Sequence, residues 1–295
     1  MYSLPIIYGR LFLSKEYFMK IILRFIGLFC FIIYGFGQNY KMVYSFEMKY
    51  NSKHEGIREY MVLLQKGQES EFLNQKYYVI DSINRQNPKQ KQYITPRYSD
   101  IVKNSSELGK SLFYKHLDGF IYEYPKFVQL KWNIHKEKKD ILGYHCQRAT
   151  VDYGGRHWEA WFSNEIPIQS GPYVFRGLPG FILEIKDIEE YFKYQMISIE
   201  KQHEIKWVEP SAVMDGKIER LKEDRWLAIV QSYYNNPIAN YKLHNWKMYK
   251  QDGSEFTEQD YKEMGRQIQN ELKRKNNPIG VYGARLQRDG AANTK

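Results

Sequence analysis

From Tyr40 onward, apolar and polar side chains alternate with a period of two. Met42, Tyr44, Phe46 and Met48 fall on one side and Val43, Ser45, Glu47 and Lys49 on the other, the pattern of a strand with one buried face. Tyr60–Leu64 reads as a second strand after a polar turn around Asn51 to Gly56. Glu69 to Tyr98 is polar, holds Pro88 and Pro96, and predicts loops with a short helix. Leu112–Tyr114 and Phe120–Tyr124 predict a hairpin about Asp118-Gly119, a pair that accepts the positive φ of a two-residue turn. Gly154-Gly155 predicts a second hairpin between Tyr144–Tyr153 and Arg156–Ser163. In that register Val151 faces Trp158, Ala149 faces Ala160 and Gln147 faces Phe162. The opposite side pairs Asp152 with His157, Thr150 with Glu159, Arg148 with Trp161 and Cys146 with Ser163. A slip of one residue would bury Asp152 and Glu159, so the register is strongly specified.

Phe181–Lys186 and Phe192–Glu200 follow as an antiparallel pair. Beyond Pro210 the period changes. Ile218, Leu221, Trp226, Ile229 and Val230 suit a helix ending near Asn235-Asn236-Pro237, and Thr257 suits the N-cap of another, with Tyr261, Met264, Ile268 and Leu272 as its apolar stripe. Strands first and helices later predict an α+β fold: a large curved, mostly antiparallel β-sheet with C-terminal helices. Residues 38–275 are expected to form one domain, its helical part starting near residue 210, and 276–295, which lack periodicity, a flexible tail.

The run Gly171-Pro172-Tyr173-Val174-Phe175-Arg176-Gly177-Leu178-Pro179-Gly180 leads into the apolar strand. Pro179 presets the first corner of a turn and Gly180 suits the positive φ of a type II second corner. The bland reading is a turn that docks a strand on the core; the functional one is a glycine-lined rim approached by a ligand.

Composition sets the compartment. Met19-Lys20 precedes an apolar stretch that closes on Gly35-Phe36-Gly37, the form of a secretory signal peptide cleaved before Gln38. Residues 1–37 therefore read as leader and signal peptide starting at Met19, with no stable transmembrane span after cleavage, and the mature chain as exported to the periplasm, the outer membrane surface or the medium. Only Cys146 then remains, so packing rather than a disulfide must stabilise the fold. The net charge is +10, of which the four basic residues and Glu16 of 1–37 carry +3, leaving +7 spread along the chain. Nucleic acid is excluded as a partner by export. The 26 tyrosines suit amphipathic strands.

Nucleophilic hydrolysis requires a positioned base beside a serine or cysteine. There is no Gly-x-Ser-x-Gly elbow, and His145 and Cys146, adjacent on a strand, point to opposite faces. A hydrolase would need an acid, a histidine and Cys146 or Ser163 to converge. Metal handling would need His135, His145 or His157 to cluster with Cys146, without the short ligand spacings of zinc sites. Glu159, Glu165 and Glu184 are paired-carboxylate candidates only by proximity to the signature. No catalytic, cofactor-binding or metal residue is assigned, and no cofactor is expected.

Gly177-Leu178-Pro179-Gly180 resembles the signature of the GLPGLI family of Bacteroidota envelope proteins, with Phe181 where the family name has its second leucine. The resemblance extends over about residues 130–200 and includes Cys146 within Gly143-Tyr144-x-Cys146, Arg148-Ala149-Thr150, Arg156 after Gly155, Trp161 after Ala160, Pro167 in Glu165-Ile166-Pro167, and Gly171-Pro172. It implies a signal peptide, an envelope or secreted location and no assigned catalytic residues. The combined expectation is an exported binding or accessory module. Its aromatic face of Trp158, Phe162, Tyr173 and Phe175 would hold an apolar or peptidic ligand or pack an envelope protein.

Overall fold

The computed structural model describes residues 39–50, 56–275 and 279. The chain divides between Gln38 and Asn39, and every described residue belongs to the second unit. The expected leader and signal peptide, and all of the expected tail except Ile279, lie outside the described residues.

Twelve strands form one sheet among the described residues. In chain order they are β1 (Asn39–Lys49), β2 (Gly56–Lys66), β3 (Glu69–Asn74), β4 (Ile101–Asn104), β5 (Lys110–Leu117) and β6 (Phe120–Phe127). There follow β7 (Asn133–Ile141), β8 (Tyr144–Tyr153), β9 (Arg156–Ser163), β10 (Phe181–Asp187), β11 (Phe192–Gln202) and β12 (Lys217–Arg220). The spatial order is β12-β6-β5-β4-β3-β2-β1-β11-β10-β9-β8-β7. Every pairing is antiparallel except that of β12 with β6. The helices are α1 (Gln75–Gln86), α2 (Pro210–Val213), α3 (Glu223–Asn235), α4 (Ala239–Leu243) and α5 (Glu258–Arg274). Apart from α1 they lie C-terminal, and the α+β fold class holds.

Both expected hairpins form. Asp118 and Gly119 take φ of 51° and 78°, and Gly154 and Gly155 take 62° and 76°, as two-residue turns of this hand require. The β8–β9 register runs from Gln147↔Phe162 to Tyr153↔Arg156, as its alternation dictates, and stops short of the expected Cys146–Ser163 pair. Thr257 caps α5 in a reciprocal capping box with Asp260.

Two expectations are corrected, and β7 is a strand for which none was stated. The segment from Glu69 to Tyr98 contains β3 as well as α1, because its polar residues Ser70, Glu71 and Asn74 are buried in the sheet. Ile218 lies in β12, beside β6, and the helix begins only at Glu223. β7, which has mostly exposed, charged residues, gives no apolar alternation to read; its lysines suit an edge strand that must not pair with another chain.

The sheet is covered differently on its two faces. On the first, Met42, Tyr44, Phe46, Phe72, Phe113, Tyr124 and Tyr194 meet the connector between β9 and β10, which brings in Tyr173, Val174, Phe175 and Leu178. At one end of that face Trp226 of α3 packs on Tyr122 and Tyr124, with ring centroids 5.4 Å and 6.1 Å apart. On the second face, Val62, Leu64, Leu73, Ile101, Tyr114 and Ile121 are covered by Tyr77 of α1 and by Ile205, Val208, Val213 and Met214. β2 contributes Leu63 to one core and Val62 and Leu64 to the other, which explains its unbroken apolar run.

Candidate functional site

The signature segment is a structural plug. Gly177 takes φ of 95°, whereas Gly180 does not take positive φ, so the type II corner expected at Pro179-Gly180 is replaced by a different requirement. A Cβ on Gly180 would lie 2.6 Å from the carbonyl carbon of Ser163 and closer still to its oxygen; the glycine allows β9 and the start of β10 to touch. A Cβ on Gly171 would lie 2.6 Å from the carbonyl oxygen of Phe175. Tyr173 holds φ of 58°, costly for a non-glycine residue, and its carbonyl accepts from Asn104 Nδ2 at 2.9 Å.

Arg176 joins this plug to the β4–β5 turn. Its guanidinium donates to the carbonyls of Ser105, Glu107 and Lys110, the latter two at 2.8 Å and 2.9 Å. Trp132 Nε1 donates to the Arg176 carbonyl at 3.0 Å. A planar five-donor group is suited to gathering three carbonyls from one turn.

The aromatic residues expected to form a ligand face are interior. Trp158 and Phe175 are 0 % exposed, Phe162 1 % and Tyr173 5 %, and the Trp158 and Phe175 ring centroids are 4.6 Å apart. Phe175 meets both Trp158 and Tyr173, and all four rings belong to one core, because burying them is worth more than leaving any of them to solvent. Arg156 is also structural: it pairs with buried Asp187 at 3.1 Å, donates to the Ile279 carbonyl at 3.2 Å and lies over the Phe192 ring. Ile279 is buried, so this point of the expected flexible tail is anchored. Trp161, half-buried, carries Lys139 Nζ 4.3 Å above its ring. Leu178 is buried, as are Gly171 and Pro172, while Pro167 and Pro179 are exposed.

The nucleophile and metal candidates do not converge. Cys146 is buried, its Sγ contacts the Tyr144 carbonyl, and burial pushes its thiol up to about 11. His145 pairs with Asp140 and His157 with Asp152, both at 2.7 Å on the exposed side, and His135 meets Thr150. Glu184 pairs with Lys139, Glu159 with Arg148, and Glu165 accepts the His145 N–H. Among the described residues no three His, Cys, Asp or Glu side chains are grouped to hold a metal ion.

A cleft of about 620 Å³ instead lies over β3–β6 on the second face. Its floor is one cross-strand row: Glu71 opposite Lys103, Lys103 opposite Leu112, Leu112 opposite Pro125. Trp207 forms one wall and Phe127, 65 % exposed, lies at the other end. The Arg176-bound turn supplies Ser105 and Lys110 to its lining. Glu71 is fully buried: its Oε2 accepts the Val208 N–H at 2.8 Å, and its Oε1 lies 3.4 Å from Lys103 Nζ without a hydrogen bond. Burial, only partly offset by Lys103 and the Val208 N–H, raises its carboxyl to about 7. Sequence reasoning missed this row because β3 reads as a polar loop; the apolar Phe72-Leu73 within it was the available signal.

The family model described as a protein of unknown function (Porph_ging) matches residues 153–184, which include Arg156, Trp161 and the whole signature run. No curated protein matches the chain. Structures of PNGF-II in the P21 and C2 space groups are similar over 65% of the chain, at 15% and 14% identity and TM-scores of 0.47 and 0.46. The chain spans 33% and 32% of their lengths, about a third. Among the described residues no helix is long and apolar enough to cross a membrane.

Proposed function

We propose that this protein is an exported binding or accessory module of the cell envelope, with the cleft over β3–β6 as its ligand site. The observation that carries the reading is the construction of the cleft. A row of side chains on four paired strands, held at its rim by the buried Arg176, forms an open and mainly apolar concavity around a buried carboxylate. Preformed apolar concavities with few polar groups are the usual form of small-ligand sites. The leader at Met19 to Gly37 supports export.

Two measurements test the two halves of this reading. Mass spectrometry of the protein recovered from its host should give a mature N-terminus at Gln38; an uncleaved leader would remove the export claim. The neutral fluorophore N-phenyl-1-naphthylamine should bind the purified chain saturably, and Leu112→Trp, which fills the floor, should abolish that binding while the thermal transition is retained. Equal binding by the two proteins would refute the site.

A further inference from the structure

Resting on the cleft as the ligand site, we propose that it takes a ligand joining an apolar body to a cationic nitrogen, an alkylammonium or guanidinium group, which pairs with Glu71. The floor row is polar at one end only. Glu71 and Lys103 stand at β3 and β4, and Leu112, Pro125 and the exposed Phe127 ring continue across β5 and β6. Adjacent strands lie about 4.8 Å apart, so the row is about 14 Å from end to end. A ligand lying across the strands meets an acid at one end and apolar surface over the rest.

The charges favour a cation. Lys103 Nζ lies 3.4 Å from Glu71 and 3.7 Å from Glu209, so two carboxylates share one ammonium, and above about pH 7, where Glu71 is ionised, the group carries one net negative charge. Glu71 Oε1, buried at the floor, accepts no hydrogen bond, and a buried acceptor left in that state is costly. The other two lysines of the cleft are taken: Lys110 pairs with Glu107 at 2.6 Å, and Lys126 pairs with Glu223. An anionic head group would therefore find each ammonium already neutralised. An incoming ammonium can donate to Oε1 while Lys103 turns to Glu209, which replaces a shared contact with two separate pairs. Charge-assisted hydrogen bonds of this kind are the strong ones.

Displacement of N-phenyl-1-naphthylamine by decylammonium, decanol and decanoate, all below their micelle concentrations and at pH 9, where Glu71 is ionised and the amine still protonated, tests this. Decylammonium should compete about 10-fold better than decanol, equivalent to about 1.4 kcal/mol, and decanoate should compete worse than decanol. Glu71→Gln should bring decylammonium to parity with decanol, each competitor being compared at the variant's own affinity for the fluorophore. Lys103→Met, which removes the competing ammonium and keeps the apolar stem, should tighten decylammonium binding several-fold. Decanoate competing as well as decylammonium would overturn the charge assignment, as would a preference that survives Glu71→Gln or falls in Lys103→Met. If Glu71→Gln does not fold, the lysine variant still decides. Loss of fluorophore binding in the native chain would instead refute the site itself.

Discussion

Gly180→Ala isolates the contact on which the signature turn depends. The added Cβ would stand 2.6 Å from the Ser163 carbonyl carbon and 2.9 Å from the Asn164 nitrogen, where ordinary contact begins at 3.4 Å. Both neighbours are backbone, so no rotamer change relieves the overlap. Removing it requires β9 and β10 to part by about 1 Å where Phe181 opposes Ser163, enough to forfeit much of the packing there. Phe181 and Leu178 are buried beside this point. Overpacking of this kind costs about 1–3 kcal/mol, and each ladder hydrogen bond lost adds about 1 kcal/mol. We expect a loss of about 3 kcal/mol in urea denaturation, with an unchanged m-value, and a Tm lower by about 6–12 °C for a domain of this size. Gly143→Ala is the control: φ is 81° there with no atom within 4 Å, so only the conformational cost of about 1 kcal/mol applies. If Gly180→Ala loses no more than Gly143→Ala, the close approach of the two strands is not what the glycine serves.

Glu71 should give the protein a measurable pH dependence. Its folded-state carboxyl is raised to about 7 from an ordinary 4.5, so the fold favours the protonated form; the stabilisation is complete below about 4.5 and is lost as pH rises through 7. The stability of Glu71→Gln relative to the native chain should therefore rise by about 3 kcal/mol between pH 4.5 and pH 8, and a pH-independent difference in denaturation midpoints would contradict this. Cys146, buried with its thiol near 11, should resist iodoacetamide at pH 8 in the folded protein and react on unfolding. Rapid labelling of the native chain, followed by mass spectrometry, would show that the thiol is accessible.

The local pattern of the sequence determined what neighbouring residues decide among themselves. The Asp118-Gly119 and Gly154-Gly155 turns, the register of Val151 on Trp158, and the Thr257 cap are each legible because turn chemistry, alternation and capping act over a few residues. The proposed export rests on the same kind of local pattern, in residues outside the described structure. The tertiary structure decided everything that depends on distant segments meeting. β3 is a strand because Glu71 meets Lys103 and Val208, and Asn104 bridges Ser70 and Tyr173; without those partners the same polar residues read as loop. Trp158, Phe162, Tyr173 and Phe175 are core because a connector folds back over the sheet, a coverage that alternation cannot specify. Gly180 is required by Ser163, seventeen positions earlier in the chain, so its backbone freedom alone was a misleading guide. The cleft is likewise a product of register across four strands, in which residues more than fifty positions apart in sequence share one row.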